Sequence, residues 1–219
     1  MDCVISSYTS SIRALKYSRN RSNFSLSNRA LIIAMPSTPG YSDLPLAEDE
    51  GYRVKYILGE KLQAEYLDNI DVEVLCHELQ NRSIVHCICH AVPETDPSKS
   101  RLLLKDGSLT VARMARIKID PGAVAYLSAC STALSQAESL EDEQIALSTA
   151  FQVAGFAGVV GCLWKADDDA SFHMAKSFYD CLQGQTTRAS QAFHQGILDL
   201  RMKYPEEPSI WAPYIYTGT

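Results

Sequence analysis

Cys130 and His90 are the two side chains whose type and placement in this chain could do chemistry together. Each lies just past an apolar run. Ile84-Val85-His86-Cys87-Ile88-Cys89 ends at His90, and Ala123-Val124-Ala125-Tyr126-Leu127 leads through Ser128-Ala129 to Cys130. Both runs read as buried strands of a parallel sheet, and such sheets carry their sites outside the carboxyl ends of the strands. A thiol beside an imidazole is a nucleophile with its base, the equipment of a cysteine hydrolase. Ser128, Ala129, Ser131, Thr132 and Ala133 are small and leave room for a substrate carbonyl. They also free nearby N–H groups to stabilise a developing oxyanion. The plain alternative for Cys130 is an inert buried thiol, common in strands. For His90 it is a loop histidine without a role. His86 competes for the part of base, but it sits inside its run and reads as a hydrogen-bonded core residue. His77, His173 and His194 fall in helical patterns and read as surface or packing residues.

The remaining cysteines are Cys3, Cys76, Cys87, Cys89, Cys162 and Cys181, an odd total of seven with Cys130. Three of them fall in buried strands, which suits reduced thiols in a cytoplasmic protein better than a disulfide scaffold. Cys87 and Cys89 with His86 and His90 raise the question of zinc. Neighbours that alternate across a sheet do not converge on one point, so no metal and no cofactor are expected.

The elements that must position the pair follow from periodicity. Residues 6–18 carry Tyr8, Ile12, Leu15 and Lys16 at helical spacing, and a serine-rich linker runs to Asn28. Residues 1–28 are therefore read as a helix and linker leading into a domain at 29–219. Ala30-Leu31-Ile32-Ile33-Ala34-Met35 is a central strand stopped by Pro36. Helices are expected at 45–58 and 69–79, with a weaker strand at 62–66. After His90, residues 91–100 read as a polar loop and 102–104 as a strand, with Ser108 capping a helix to about Arg116. Residues 131–141 read as a loop before a helix at 142–154. Gly158 to Trp164 is another buried strand. Helices at 169–182 and 187–202 follow, and Trp211 to Tyr216 reads as a last strand. Alternating strands and helices give an α/β fold, a three-layer α/β/α sandwich on a mostly parallel sheet of about six strands. Asp167-Asp168-Asp169 follow the strand that ends at Trp164 and fall near the rim of the site. Their plain reading is solvent exposure and capping of the next helix.

The bulk numbers narrow the function classes. The 219 residues, 46% of them hydrophobic, can bury one substantial core. A formal charge of −6 without a basic patch gives no support for nucleic-acid or membrane partners. No apolar stretch approaches the ~20 residues of a membrane span. The first residues lack the pattern of a signal peptide.

The fragments Ser6-Ser7-Tyr8-Thr9, Ala34-Met35-Pro36, Leu44-Pro45-Leu46-Ala47-Glu48, His86-Cys87-Ile88-Cys89-His90 and Leu127-Ser128-Ala129-Cys130-Ser131-Thr132-Ala133 occur in that order. Gly155 to Gly161, Leu163 to Asp168 and Trp211-Ala212-Pro213-Tyr214 complete the series. In order and spacing the chain resembles the CHAT domain of the caspase-like, separase-related cysteine peptidase superfamily (clan CD). The resemblance implies a caspase-like sheet, His90 as the catalytic histidine and Cys130 as the nucleophile. It implies an oxyanion hole from the backbone N–H groups of Ala91 and Cys130. The family usually has glycine where Ala91 stands; alanine keeps the N–H but resists some backbone angles that glycine allows. In the related separase an aspartate in the loop after the tryptophan holds a P1 arginine, and Asp168 is the matching position. The resemblance thus implies a cysteine endopeptidase acting on protein or peptide substrates, with preference for a basic P1 residue through Asp168. The rival is a catalytically silent interaction or signalling module of the same fold. CHAT domains are often the effector end of larger proteins, so an upstream sensor or repeat domain is the expected partner.

Overall fold

Apolar runs too continuous to alternate with polar residues need cover on both faces. In a computed structural model, the protein is described over residues 4–9, 11–21, 29–92, 94–119, 122–128, 141–164, 166–183 and 188–219. In chain order the elements are α1 (Ile12–Arg21), β1 (Ala30–Ala34), α2 (Ala47–Leu58), β2 (Glu65–Asp68), α3 (Val72–Glu78), β3 (Ile84–Ile88) and β4 (Ala91–Val92). Then come β5 (Arg101–Leu103), β6 (Ser108–Thr110), α4 (Val111–Met114), β7 (Gly122–Leu127), α5 (Glu141–Ala154) and β8 (Phe156–Cys162). The chain closes with α6 (Asp168–Leu182), α7 (Ala189–Lys203), α8 (Pro208–Trp211) and β9 (Tyr214–Gly218).

The main sheet has six strands in the order β2-β1-β3-β7-β8-β9. The first five are mutually parallel, and β9 returns antiparallel to β8. β1, β3 and β8 are buried at every position. Ile32, Ile84, Ile88 and Tyr126 face Val54 and Leu58 of α2, Met174 and Phe178 of α6, and Phe193 and Leu200 of α7. Leu31, Ile33, Val85 and Val159 face the opposite way, against Leu75 of α3 and Phe151 of α5. Each such side chain contributes roughly 1.5–3 kcal/mol by leaving water. The result is the expected three-layer α/β/α sandwich.

Several local expectations give way to tertiary contacts. The helix read over 6–18 begins only at Ile12, because Tyr8 is drawn to the sheet: its N–H donates to Tyr216 O (2.9 Å) and its carbonyl accepts from Gly218 N–H (3.0 Å). Residues 91–100 are not all loop. Ala91 and Val92 form β4, which starts a small antiparallel sheet, β4-β5-β6, on the α3/α5 side. Ser108 is strand rather than cap; Thr110 caps α4 by accepting from Arg113 N–H. The strand read over 211–216 starts later, because Pro208 opens α8. Leu62 sits in a short 3-10 turn, and β2 starts at Glu65. Of the expected loop 131–141, residues 131–140 lie outside the described residues and Glu141 already begins α5; most of the linker to Asn28 and the first residue of the helix read over 187–202 also lie outside them.

Candidate active site

β3 and β7 lie side by side and parallel, and their last registered pair is Cys87 with Leu127. His90 is three residues past Cys87 and fully buried. Cys89 and Ala91 face the α3/α5 core, and His90 between them is held from the segment that joins β1 to α2. There its Nε2–H donates to the carbonyl of Ser42 at 2.7 Å. In a neutral ring that bond keeps the proton on Nε2 and makes Nδ1 the basic nitrogen. The Tyr41 ring packs beside the imidazole, centroids 5.7 Å apart.

The segment that supplies the Ser42 carbonyl is stiff. Pro36, Pro39 and Pro45 fix its backbone, and it closes on itself through Leu44 N–H to Pro36 O (2.8 Å) and Tyr41 N–H to Thr38 O (3.1 Å). Gly40 has φ +82° with open space around it, so the backbone angle rather than crowding calls for glycine. Sequence reading missed Tyr41 and Ser42. A carbonyl clamp leaves no signal in residue type, because every residue has a carbonyl.

Ala91 meets β5 through a non-hydrogen-bonded pair. It registers with Leu102, and Leu103 N–H donates to His90 O at 2.9 Å. That pattern directs the Ala91 N–H away from β5. β4 is the edge of its small sheet, so the Ala91 N–H is not consumed by the ladder. Cys130 lies outside the described residues. Asp168 opens α6, and its side chain is likewise outside the description. Its neighbours are structurally engaged. Asp167 caps α6, accepting from Ala170 N–H at 3.1 Å. Asp169 accepts from Lys203 Nζ (2.9 Å) and Tyr204 O–H (2.7 Å), which hold its carboxyl below the usual range.

His86 is the core residue the sequence predicts. It is fully buried and stacked on Tyr126, with centroids 4.7 Å apart. Its Nε2 lies 3.1 Å from Glu50 Oε1 and its Nδ1 2.9 Å from the Tyr179 hydroxyl. An ionised Glu50 accepts from Nε2–H, which leaves Nδ1 to accept from Tyr179 O–H. Burial pushes the Tyr179 phenol well up and keeps that donor protonated. The network ties α2 and α6 to β3 beneath His90. Burial also pushes Cys87 well up and Cys89 to about 12, so neither is a thiolate near neutral pH. Among the described residues no three His, Cys, Asp or Glu side chains gather closely enough to hold a metal ion.

The CHAT domain family model matches residues 2–219. The chain belongs to the CHAT domain family. No curated protein matches it. Among solved structures this CHAT domain is similar to the Arg-specific cysteine proteinase gingipain R (TM-score 0.62, 11% identity), over 93% of this chain and 51% of that one. The complex of Porphyromonas gingivalis RgpB pro- and mature domains matches with TM-score 0.61 and 11% identity, over 93% of this chain and 52% of that one. The Saccharomyces cerevisiae separase–securin complex matches with TM-score 0.63 and 16% identity, over 97% of this chain and 14% of that one. At these identities the likeness is one of fold, and the fold is that of caspase-like cysteine peptidases. The chain spans about half of the gingipain R chain and a small part of the separase chain. Among the described residues no helix is long and apolar enough to cross a membrane.

Proposed function

We propose that this CHAT domain is a cysteine endopeptidase that hydrolyses peptide bonds in protein substrates through Cys130 and His90. The observation that carries the reading is the register of the two strands. Cys87 and Leu127 are paired neighbours, and the sequence carries His90 three residues past the first and Cys130 three past the second. The Cys130 thiolate attacks the scissile carbonyl carbon and forms a thioester, and the leaving amine takes a proton from His90. Water then attacks the thioester, with His90 accepting its proton. The N–H groups of Ala91 and Cys130 hold the oxyanion. The Ser42 clamp supports the role of His90 by making Nδ1 its basic nitrogen.

In the same reading Asp168 binds a basic P1 residue, a guanidinium fitting a carboxylate better than an ammonium does. The arginine specificity named for gingipain R is that protein's own; it makes P1 arginine the first residue to try here. Protein substrates and an upstream sensor domain are the partners proposed. The complete burial of His90 favours a second reading, a silent interaction module whose dyad meets no substrate.

A library of electrophilic peptide probes varied at P1 tests both. The expected result is covalent labelling of Cys130, strongest with P1 arginine, lost in Cys130→Ala and weakened for P1 arginine in Asp168→Ala. Labelling that survives Cys130→Ala overturns the nucleophile. Unchanged arginine selectivity in Asp168→Ala moves the pocket elsewhere. No labelling at any P1 residue supports the silent module.

A further inference from the structure

The two edges of the main sheet are treated differently. β9 is met by Tyr8 from the N-terminal segment. β2 is the opposite edge, and no described strand lies beyond it. Asn69 N–H donates to Ala34 O at 3.0 Å, and Leu67 registers with Ile33. In a parallel ladder alternate residues face a given neighbour. Glu65, Leu67 and Asn69 therefore bond β1, while the N–H and C=O groups of Tyr66 and Asp68 point outward. Edges are normally blunted by proline, bulges, charges or cover. β2 has no proline, and one of its two charges, Glu65, is tied to Arg82 at 2.5 Å.

Beside this edge lies an aromatic shelf. Tyr52 of α2 stacks on Tyr66, with centroids 4.4 Å apart and planes at 26°. Tyr52 is 57% exposed, and Tyr56, one turn further along α2, is 88% exposed. The shelf is acidic at one end. Asp68 and Glu48 lie near Tyr66; burial, helped by Asp68, Tyr52 and Glu48, pushes its phenol up to about 12.

We propose that the β2 edge is a docking strip for an extended, basic segment of a partner protein, which adds to the sheet as a further strand. The backbone of the segment bonds the outward groups of Tyr66 and Asp68. Its side chains on the α2 face place a guanidinium or ammonium over the tyrosines, next to Asp68 and Glu48. A second copy of this chain brings no basic side chain in its own β2, Glu65–Asp68, to set against the tyrosines, Asp68 and Glu48. This docking strip does not depend on the peptidase reading.

Residue-resolved amide exchange on the full chain tests it, with two synthetic seven-residue peptides, one alternating valine with arginine and one valine with glutamate. The arginine peptide is expected to slow exchange at Tyr66 and Asp68, and the glutamate peptide is expected to leave both unchanged. Neutralising the strip with Asp68→Asn and Glu48→Gln should weaken the arginine peptide about five- to tenfold. Asp68→Pro removes an outward donor at a position where edge strands tolerate proline, so it should abolish protection at Tyr66 while circular dichroism stays native. No protection by the arginine peptide, equal binding of both peptides, or protection that appears on raising protein concentration alone each overturns the proposal.

Discussion

His86, Cys87, Cys89 and His90 share one strand and its exit, yet their chemistry differs with what each meets. His86 is spent on Glu50 and Tyr179. Cys87 and Cys89 are held neutral by the apolar α3/α5 core. His90 is held by the Ser42 carbonyl, which fixes the proton of a neutral ring on Nε2. The thiol shifts imply a pH dependence of stability. A thiol is charged when deprotonated, and burial raises the Cys89 value from 9.0 to about 12 in the folded state. The stabilising difference is therefore full below pH 9 and is lost as pH rises toward 12, by up to about 1.4 kcal/mol per pH unit for each such group. Urea unfolding followed from pH 8 to 11 should show this fall, and Cys89→Val should flatten it. An unchanged slope in that variant would mean that Cys89 is not buried as a thiol.

The stiff segment between β1 and α2 decides the direction of the Ser42 carbonyl. It holds its shape through three prolines and one left-handed glycine rather than through burial of its own core. Gly40→Ala places a Cβ where nothing obstructs it but forces φ +82° on an L-residue. The expected cost is about 1–2 kcal/mol, read as a lower melting temperature. Because Tyr41 and Ser42 follow directly, the variant should also label more slowly with the electrophilic probe. A stability loss with unchanged labelling would detach the segment from the site.

At the scale of the whole molecule, the β9 edge of the sheet is met by Tyr8, whereas among the described residues no strand lies beyond β2. The β9 edge depends on the antiparallel return of β9 against β8. The packing there needs a bare backbone at Gly158, where an added Cβ would lie 2.1 Å from the Tyr216 hydroxyl. Gly158→Ala must displace that buried ring and should destabilise by about 1–3 kcal/mol in denaturant unfolding. The Tyr8 bridge hangs on the same strand, so early loss of amide protection at Tyr8 and Gly218 should accompany it. A Gly158→Ala protein of native stability would show that Tyr216 has room to move.

The amino-acid sequence by itself determined the parallel core and its strand exits. Runs such as Leu31-Ile32-Ile33 and Val159-Val160 cannot be satisfied with one face in water, and β-branched residues favour the extended chain. It also placed His86 in the core and His90 at a strand exit, because alternation and run length are local properties. The tertiary structure alone decided the rest. Neither the 87–127 register nor the 90–42 hydrogen bond has a local signature, since both join residues distant in the chain through the backbone. The small sheet from Ala91 forms because β5 lies alongside it, against the polar-loop look of 91–100. Tyr8 leaves its helical pattern for the same reason: an unfilled edge of β9 offers hydrogen bonds that a short helix in water does not.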